Sequence, residues 1–299
     1  ESGSASDYRG VDFRKPIEYR NGNGQTHACS NIPVFNGRYS TSCYIDEMVR
    51  ALEDMCTRRE IEVHTYLEQV DAIFMHRPFR RMPENGWGMA YLFSLATDAA
   101  GHPELRGYCE NAGIEFSAVL AEATERPQVA QFGVRERIHE EVFPQLSALL
   151  RYFRKETAYQ QYVLDKMSLG TDWMAELGNL YTGALPAWLA AGLEEAAEKG
   201  IDLNGKEILM VGYGSGDAAE TIPIRLVDGW EQAARRIDMR GAMADVINLT
   251  QDQYMAFRSD GNAAPPEYTP KDEFVVDRIG SLSDDDFQDT GIEYYRFIN

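Results

Sequence analysis

The segment at residues 70–85, VDAIFMHRPFRRMPEN, holds the residues with the clearest capacity for chemistry. Apolar residues from Val70 to Met75 predict a buried strand, and His76 follows at its end, where a side chain can face a cleft. Pro78 fixes φ and removes a backbone donor, so the strand cannot continue through it. A neutral imidazole at such a position can polarise a carbonyl or shuttle a proton near neutral pH. The alternative is a hydrogen-bonded structural histidine, and the surrounding residues favour the functional interpretation.

Two fixed cations follow the proline. Arg80 and Arg81 carry guanidinium groups, whose planar fork of donors suits phosphate. An imidazole beside a phosphate-sized patch of positive charge predicts a site for a phosphorylated carrier such as coenzyme A.

Two glycine-containing turns could add to this site. The run GYGSG at Gly212–Gly216 is neither the dinucleotide-binding GxGxxG nor the GxSxG elbow, because Ser215 stands fourth in it. A glycine-rich turn after a strand still exposes backbone N–H groups and lets a ligand approach closely, although it can also be a plain tight turn. Asn179, in GNLYTG, offers an amide that can donate to a carbonyl or oxyanion, or can serve the turn itself.

The four cysteines do not form a recognisable metal or redox motif. Cys29, Cys43, Cys56 and Cys109 show no CxxC spacing and no pairing with histidines, which predicts reduced cysteines that pack in the interior. Cys29 lies in a polar, loop-like segment with no helix N-terminus to lower its pKa, so we do not expect it to be a nucleophile.

Composition sets the protein class. The 299 residues are 44% hydrophobic and 26% charged, which is typical of a globular protein large enough for a substantial core. The formal net charge of −19, spread along the chain, argues against nucleic acid as a partner, because a phosphate backbone requires clustered cations. No apolar run is long enough to span a bilayer and no signal-peptide pattern is visible, so we expect a cytoplasmic protein that does not bind membranes.

The order of the elements predicts an α/β fold in four parts. Residues 1–36 are expected to form an extended connection, 37–102 a first α/β part with the HxPF site, 103–170 a helical insertion with its own small core, and 171–299 a second α/β part. The last part carries an amphipathic helix that closes at Gly200, then a strand, a glycine turn and another strand at Ile222–Val227. It ends in two strands, Glu273–Ile279 and Gly291–Ile298. In the first part, Ser40 is predicted to cap a helix, and a second helix is expected from about Gly86 to Ala99.

Several of these segments together resemble a known family. They are VDFRKP, IPVFNGRYSTSCYIDEM, IFMHRPFRRM, GNLYTGAL, GYGSG and INLTQDQYMAF, followed by the terminal strand pair. In this order they are similar to the C-terminal half of 3-hydroxy-3-methylglutaryl-CoA (HMG-CoA) synthase, a condensing enzyme of the thiolase superfamily. The resemblance covers nearly the whole chain.

The resemblance implies a fold and a reaction. The family has a thiolase-like layered αβαβα fold built from two similar halves, and it forms homodimers. Its reaction joins acetyl-CoA to acetoacetyl-CoA through an acetyl-cysteine intermediate, with a glutamate as general acid/base. It uses CoA thioesters as substrates and no further cofactor or metal.

By position, the resemblance also assigns roles to residues of this chain. His76 corresponds to the histidine that holds and polarises the acetoacetyl group. Asn179 and Ser215 correspond to residues that contact the acyl-CoA, and Ser40 to a serine that lines the same site. Arg81 stands where the family has a CoA-contacting lysine, which keeps the charge and changes its geometry. Asp12 matches an acidic residue to which we assign no role.

The family's nucleophilic cysteine and its glutamate belong to the N-terminal half, upstream of VDFRKP. We therefore expect an N-terminal half to supply them, either within a homodimeric enzyme or as a separate subunit of a split heteromer, and we expect this chain alone to be incomplete. Two alternatives stay open. One is a synthase of polyketide β-branching that acts on acetoacetate bound to a carrier protein; the other is a non-catalytic subunit that binds acyl-CoA.

Overall fold

The computed structural model describes residues 1–6, 18–20, 26–28, 37–134, 136–214, 217–244, 246–260, 269–282 and 289–299. The chain divides into two compact units, Glu1–Met239 and Arg240–Asn299. The predicted cysteine Cys29 and the predicted site residue Ser215 lie outside the described residues, as does Asp12.

A mixed four-stranded sheet forms the centre of the first unit. Its strands are β1 (Gly3–Ser6), β4 (Ala72–Met75), β5 (Glu207–Gly214) and β6 (Ala218–Arg225), in the order β1-β6-β5-β4. β4 runs parallel to β5, with Met75 opposite Val211, and the other two pairings are antiparallel. All four residues of β4 are buried, which confirms the buried strand predicted before His76. A separate antiparallel pair joins β2 (Glu18–Arg20) to β3 (Thr26–Ala28).

Helices make up most of the rest of this unit. They are α1 (Gly37–Arg58), α2 (Val63–Gln69), α3 (Arg81–Thr97), α4 (His102–Ala112), α5 (Phe116–Glu125), α6 (Pro144–Phe153), α7 (Thr157–Tyr159, continued by a π-helical turn over Gln160–Leu164), α8 (Thr171–Glu176), α9 (Ala184–Lys199) and α10 (Trp230–Ala234). The short helix α11 (Met239–Ala242) begins at the last residue of this unit and continues into the second. As predicted, α9 ends at Gly200, which caps it in the left-handed conformation at φ 66°.

Two long helices pack directly on the sheet. α1 lies against β1 and β6, where the buried Thr221 hydroxyl donates to the Ala51 carbonyl at 2.9 Å. α9 lies against β4 and β5. A Cβ atom at Gly192 would stand 2.3 Å from the Phe74 ring, so glycine is required for α9 to approach β4 this closely.

The helices between residues 103 and 170 share the core of the sheet-bearing part. The Phe153 ring stacks on Tyr91 of α3 with centroids 5.1 Å apart, and Leu146 and Leu149 belong to the same buried cluster as Trp87. The expectation of a separate small core for these helices is therefore wrong, because their apolar stripe is completed by α3.

Several element boundaries differ from the sequence prediction. β6 begins at Ala218, before the predicted Ile222, and Gly212 and Gly214 belong to β5 instead of the predicted turn. α1 already begins at Gly37, so Ser40 lies within its first turn, 7% exposed, and the predicted cap is wrong. α3 begins at Arg81, earlier than the predicted Gly86, because Pro83 falls in the first turn, where a helix needs no N–H donor. Residues 3–6, which the sequence assigns to an extended connection, form β1 at the edge of the sheet.

The second unit contains a helix and a hairpin. α12 spans Gln251–Asp260, and β7 (Glu273–Ile279) pairs antiparallel with β8 (Glu293–Ile298), which confirms the two predicted terminal strands. The buried Asp289 carboxylate accepts the Leu282 N–H at 2.7 Å and the Tyr294 hydroxyl at 3.0 Å. Within the described ranges of both units, no helix has the length and apolar character needed to cross a membrane.

Candidate functional site

A cavity of about 510 Å³ opens where β4 ends, and we call it the His76 cavity. Its walls come from β1, from the turn that leads into α9, and from the facing ends of β5 and β6. Lining residues used below are His76, Thr182, Leu185, Gly212, Gly214 and Glu220. The segments IFMHRPF and GYGSG therefore border the same cavity, because β4 pairs in parallel with β5.

The main chain at His76 is held from two sides. Its N–H donates to the Val211 carbonyl at 2.8 Å, which extends the β4–β5 pairing by one residue. Its carbonyl accepts the Tyr44 hydroxyl at 3.0 Å. Tyr44 is fully buried and its ring meets the edge of Tyr213 at 5.1 Å. Burial raises the pKa of Tyr44 far above its ordinary value, so the hydroxyl remains a neutral donor and keeps this backbone in place.

The His76 imidazole is half-buried and uncharged at neutral pH. Burial lowers the pKa of the ring below its usual 6.5, and a hydrogen bond to the backbone of Tyr181 opposes part of that effect. That bond occupies one ring nitrogen, and the residue lines the cavity. A neutral ring donates from one nitrogen and accepts at the other, so His76 can exchange a proton with a bound group.

The GNLYTG segment reaches His76 through its backbone. Asn179 Oδ1 accepts the Tyr181 N–H at 2.9 Å, an Asx-turn contact that helps hold Tyr181 at φ 51°. This left-handed conformation is costly for a residue with a side chain, and Tyr181 is also 68% exposed. Thr182 and Leu185 then line the cavity, with Leu185 in the first turn of α9. The positive end of the α9 dipole therefore borders the space in front of His76.

The glycines of GYGSG leave the main chain of β5 bare at the cavity. Neither Gly212 nor Gly214 has a positive φ that would demand glycine. No atom of the described residues lies within 4 Å of a Cβ built at Gly214, and at Gly212 the nearest atoms are at an ordinary 3.9 Å. Packing within the described protein thus gives no reason for glycine here. Close approach of a ligand to the backbone would be such a reason.

The structure gives the other predicted residues different positions. Asn179 is exposed and its side chain does not line the cavity. Ser40 is buried in α1, one helical turn before Tyr44, and is likewise absent from the lining. Arg81 is exposed at the start of α3, where its charge acts on Tyr159, and it does not reach the His76 cavity.

Ser215 lies outside the described residues. Gly214 precedes it and Ala218 follows the turn, and both of these line the cavity.

Sequence reasoning missed several residues of the site. Tyr44 and Thr182 stand inside segments that the sequence had already singled out, one turn after Ser40 and within GNLYTG. Glu220 and the β1 residues Ser4 and Ser6 also line the cavity, and no local pattern pointed to them. They line the cavity because β1 pairs with β6, and this contact joins segments that are far apart in the sequence.

The described cysteines are unsuited to catalysis. Cys43, Cys56 and Cys109 are buried and form no disulfide. Burial raises the pKa of Cys56 to about 12 and also raises the pKa of Cys109. Such thiols stay protonated and act as packing groups, as the sequence predicted. Within the described residues, no three His, Cys, Asp or Glu side chains are grouped so that they could hold a metal ion.

Comparison with known proteins gives one consistent answer. The family described as "Hydroxymethylglutaryl-coenzyme A synthase C terminal" matches residues 152–270. Hydroxymethylglutaryl-CoA synthase of Haloferax volcanii is 22% identical over 279 residues, which are 92% of this chain and 55% of that protein. Hydroxymethylglutaryl-CoA synthase A of Dictyostelium discoideum is 24% identical over 276 residues, 89% of this chain and 50% of that protein.

Solved structures share the fold. MvaS in complex with 3-hydroxy-3-methylglutaryl coenzyme A superposes with a TM-score of 0.59 at 19% identity, over 100% of this chain and 57% of that one. PksG, an HMG-CoA synthase from Bacillus subtilis, gives a TM-score of 0.53 at 14% identity, over 100% and 56%. The HMG synthase of the curacin biosynthetic pathway, in complex with holo donor-ACP, gives 0.52 at 14%, over 99% and 56%.

This chain is similar to the C-terminal half of HMG-CoA synthase. Its α/β fold is the thiolase-like fold of those enzymes, as the resemblance implied. The HMG-CoA synthases that it matches are acyltransferases. The chain spans about half the length of the curated relatives that it matches.

Proposed function

We propose that the protein containing this chain condenses acetyl-CoA with acetoacetyl-CoA and water to give 3-hydroxy-3-methylglutaryl-CoA and free CoA. In this proposal the His76 cavity receives the acetoacetyl group. The observation that carries the proposal is the meeting of a neutral, half-buried imidazole with a bare glycine backbone in one cavity of about 510 Å³.

His76 is assigned the handling of the ketone that is attacked. When the new carbon–carbon bond forms, the carbonyl oxygen of the acetoacetyl group becomes an alkoxide and takes up a proton. In the neutral ring the nitrogen that Tyr181 does not occupy is an acceptor, so His76 must be protonated to act on this oxygen. The imidazolium then gives that proton to the alkoxide and returns to the neutral form. Because the main chain of His76 is fixed by Val211 and Tyr44, the ring is presented with little freedom, as a group that must meet developing charge requires.

The surroundings of His76 support binding of a thioester. Gly212 and Gly214 allow an extended acyl chain to lie against β5. The first turn of α9 adds a positive field in front of the imidazole, which favours negative charge on a thioester or ketone oxygen. These features stabilise the charge that develops in the transition state and do not depend on a metal or a second cofactor.

We assign the nucleophilic cysteine and the general acid/base glutamate to the half of the enzyme that corresponds to the unmatched part of its relatives. The three described cysteines of this chain are buried, and burial raises the pKa of Cys56 and of Cys109, so these thiols do not fit the acyl-carrying role. Assembly with that half, in one polypeptide or as a separate subunit, and pairing into a homodimer both belong to the proposal.

Separate measurements of acetoacetyl-CoA binding and of acetyl-enzyme formation test the role of His76. In the assembled enzyme, His76→Gln is expected to weaken acetoacetyl-CoA binding and to lower turnover by about 10²- to 10⁴-fold. Formation of the acetyl-enzyme from acetyl-CoA, followed by intact mass, is expected to stay close to wild type. His139→Gln, at an exposed histidine away from the cavity, is the matched control. Equal loss of acetyl-enzyme formation and acetoacetyl-CoA binding would contradict the assignment.

The form of the substrate carrier has its own test. The curacin-pathway and PksG structures share this fold, so a carrier-protein-bound acetoacetate is the competing substrate. The net charge of −19 disfavours docking of a carrier protein, because an acidic surface repels an acidic partner protein. We expect a kcat/KM for acetoacetyl-CoA well above that for acetoacetyl carrier protein. The reverse order would identify the protein as a β-branching synthase.

A further inference from the structure

Arg77, the residue after His76, lines a different cavity from its neighbour. This cavity has a volume of about 210 Å³, and we call it the Arg77 pocket. Its walls are formed by Arg77, Arg80 and Glu84 on one side and by Ser168, Thr171 and Trp188 on the other. None of these residues lines the His76 cavity, so the pocket is separate from the site proposed for acyl-CoA.

Arg77 is an unusual residue for the position it occupies. Its side chain is only 5% exposed, and its buried Nη1 donates to no atom of the described residues. The guanidinium lies over the Trp188 ring at 5.0 Å, which offsets part of the cost of burying a charge. Burial lowers the pKa of Arg77 and the Glu84 carboxylate opposes this, but a guanidinium stays protonated at neutral pH. A buried cation with an unused donor is expensive unless an acceptor binds to it.

The remaining walls define what could bind. Arg80 adds a second cation, so the two guanidinium groups outweigh the single carboxylate of Glu84. The hydroxyls of Ser168 and Thr171 both donate to main-chain carbonyls, at 2.7 Å, and therefore present lone pairs to the pocket. Leu164 and Met167 supply apolar surface. The volume equals that of about seven water molecules at ~30 Å³ each, which limits the occupant to a small molecule or group.

We propose that the Arg77 pocket binds a small oxyanion, a phosphate or carboxylate group, through the guanidinium groups of Arg77 and Arg80 that line it. A guanidinium fork matches the oxygens of either group in a bidentate arrangement. Ser168 and Thr171 can accept hydrogen bonds from a hydroxyl of the same ligand, and the apolar wall can cover a short carbon skeleton.

Binding of inorganic phosphate and of succinate, measured by calorimetry and by thermal unfolding, tests the proposal. Sodium chloride at matched ionic strength removes unspecific salt effects. We expect one saturable site per chain for at least one of the two anions, with a rise in melting temperature that follows its concentration. Arg77→Met is expected to weaken that binding about 10- to 100-fold, because it removes a charged hydrogen bond in a buried site.

Two further variants make the test specific. Arg106 stacks on Phe116 with its guanidinium carbon 4.0 Å from the ring centre, but lies outside the pocket. Arg106→Met therefore removes the same charge and the same kind of stacking, and is expected to leave anion binding unchanged. Arg77→Lys keeps the charge without the fork and is expected to bind with intermediate affinity, which guards against a folding defect in Arg77→Met.

Competition with coenzyme A identifies the source of the anion. Displacement of bound phosphate by CoA would assign the pocket to the phosphate groups of CoA, and independent binding would assign it to a free small molecule. Failure of wild type to bind either anion saturably, or equal affinity in wild type and Arg77→Met, would overturn the proposal. None of these readouts uses condensation activity, so the result is independent of the function proposed for His76.

Discussion

His76 and Arg77 are neighbours in the chain and open onto two cavities of different character. The His76 cavity is large, is bordered by bare glycine backbone, and presents an imidazole that burial keeps neutral. The Arg77 pocket is less than half that volume and presents a buried, permanent cation. Successive residues of an extended chain point to opposite sides, so one short segment serves both cavities.

The contrast shows which property each side can supply. A titratable ring whose charged form is disfavoured suits proton exchange with a reacting group. A guanidinium that cannot lose its proton suits the binding of an anion whose charge does not change. If this division is correct, substitutions that damage one cavity leave the other working, and each prediction below makes use of that independence.

After loss of the His76 ring itself, the largest effect is expected from filling the glycine side of the His76 cavity. Gly214→Val should lower kcat/KM of the assembled enzyme by about 10²-fold, because displacing the acyl chain by an ångström costs this much. Melting temperature and phosphate binding should change little, since no described atom lies within 4 Å of the new Cβ. Gly107→Val, at a helical glycine that also has free space around it, is the control. An active Gly214→Val enzyme would mean that no ligand approaches this strand.

A pair of substitutions at Asn179 separates two possible roles of its side chain. Asn179→Ala removes the acceptor for the Tyr181 N–H and should lower turnover about tenfold, with a loss of about 1 kcal/mol in unfolding free energy. Asn179→Asp keeps that acceptor and loses the amide donor. We expect Asp to restore most of the activity, measured as kcat. An Asp variant as impaired as Ala would show instead that the amide donates to the substrate.

A smaller change is expected when the clamp on the His76 carbonyl is removed. Tyr44→Phe deletes the 3.0 Å hydrogen bond and leaves the ring packed against Tyr213, so unfolding free energy should fall by about 1 kcal/mol. KM for acetoacetyl-CoA should rise more than kcat falls, since the imidazole is displaced but remains present. Chemical denaturation of Tyr44→Phe beside Tyr254→Phe, an exposed tyrosine of the second unit, checks the first expectation.

The smallest signal is the titration of His76 itself. Burial lowers the pKa of the ring in the folded state, so its NMR titration should have a midpoint below 6.5, and the resonance should disappear in His76→Gln. Between that midpoint and 6.5 the unfolded chain binds more protons than the folded one. The contribution of His76 to stability is therefore complete above pH 6.5 and is lost as the pH falls. A midpoint above 6.5 would show that the cavity favours the cation.

The part of the site that could be predicted rests on local signals. An apolar run closed by proline placed His76 at the end of β4, and the glycine-rich run after a second apolar segment placed Gly212 and Gly214 at the end of another strand. The cap at Gly200 could also be found, because a glycine after an amphipathic run is a local stop signal. Each of these features depends on only a few consecutive residues.

Other features depend on contacts between distant segments and had no local sign. Arginine is among the residues least often buried, and Arg77 is covered only because α9 brings Trp188 over it. Ser40 looks like a helix cap in the sequence, but tertiary packing at the start of α1 extends the helix beyond it. β1 is four small and polar residues, and it becomes a strand only by pairing with β6.

The tight seat of α9 at Gly192 has a mechanical consequence. Helix α9 carries Leu185, which lines the His76 cavity, and Trp188, which lines the Arg77 pocket. The same helix packs against the Phe74 ring without room for a side chain at Gly192. A shift of α9 would therefore change the shape of both cavities together. A larger side chain in place of Gly192 would therefore disturb both ligands together, although it touches neither.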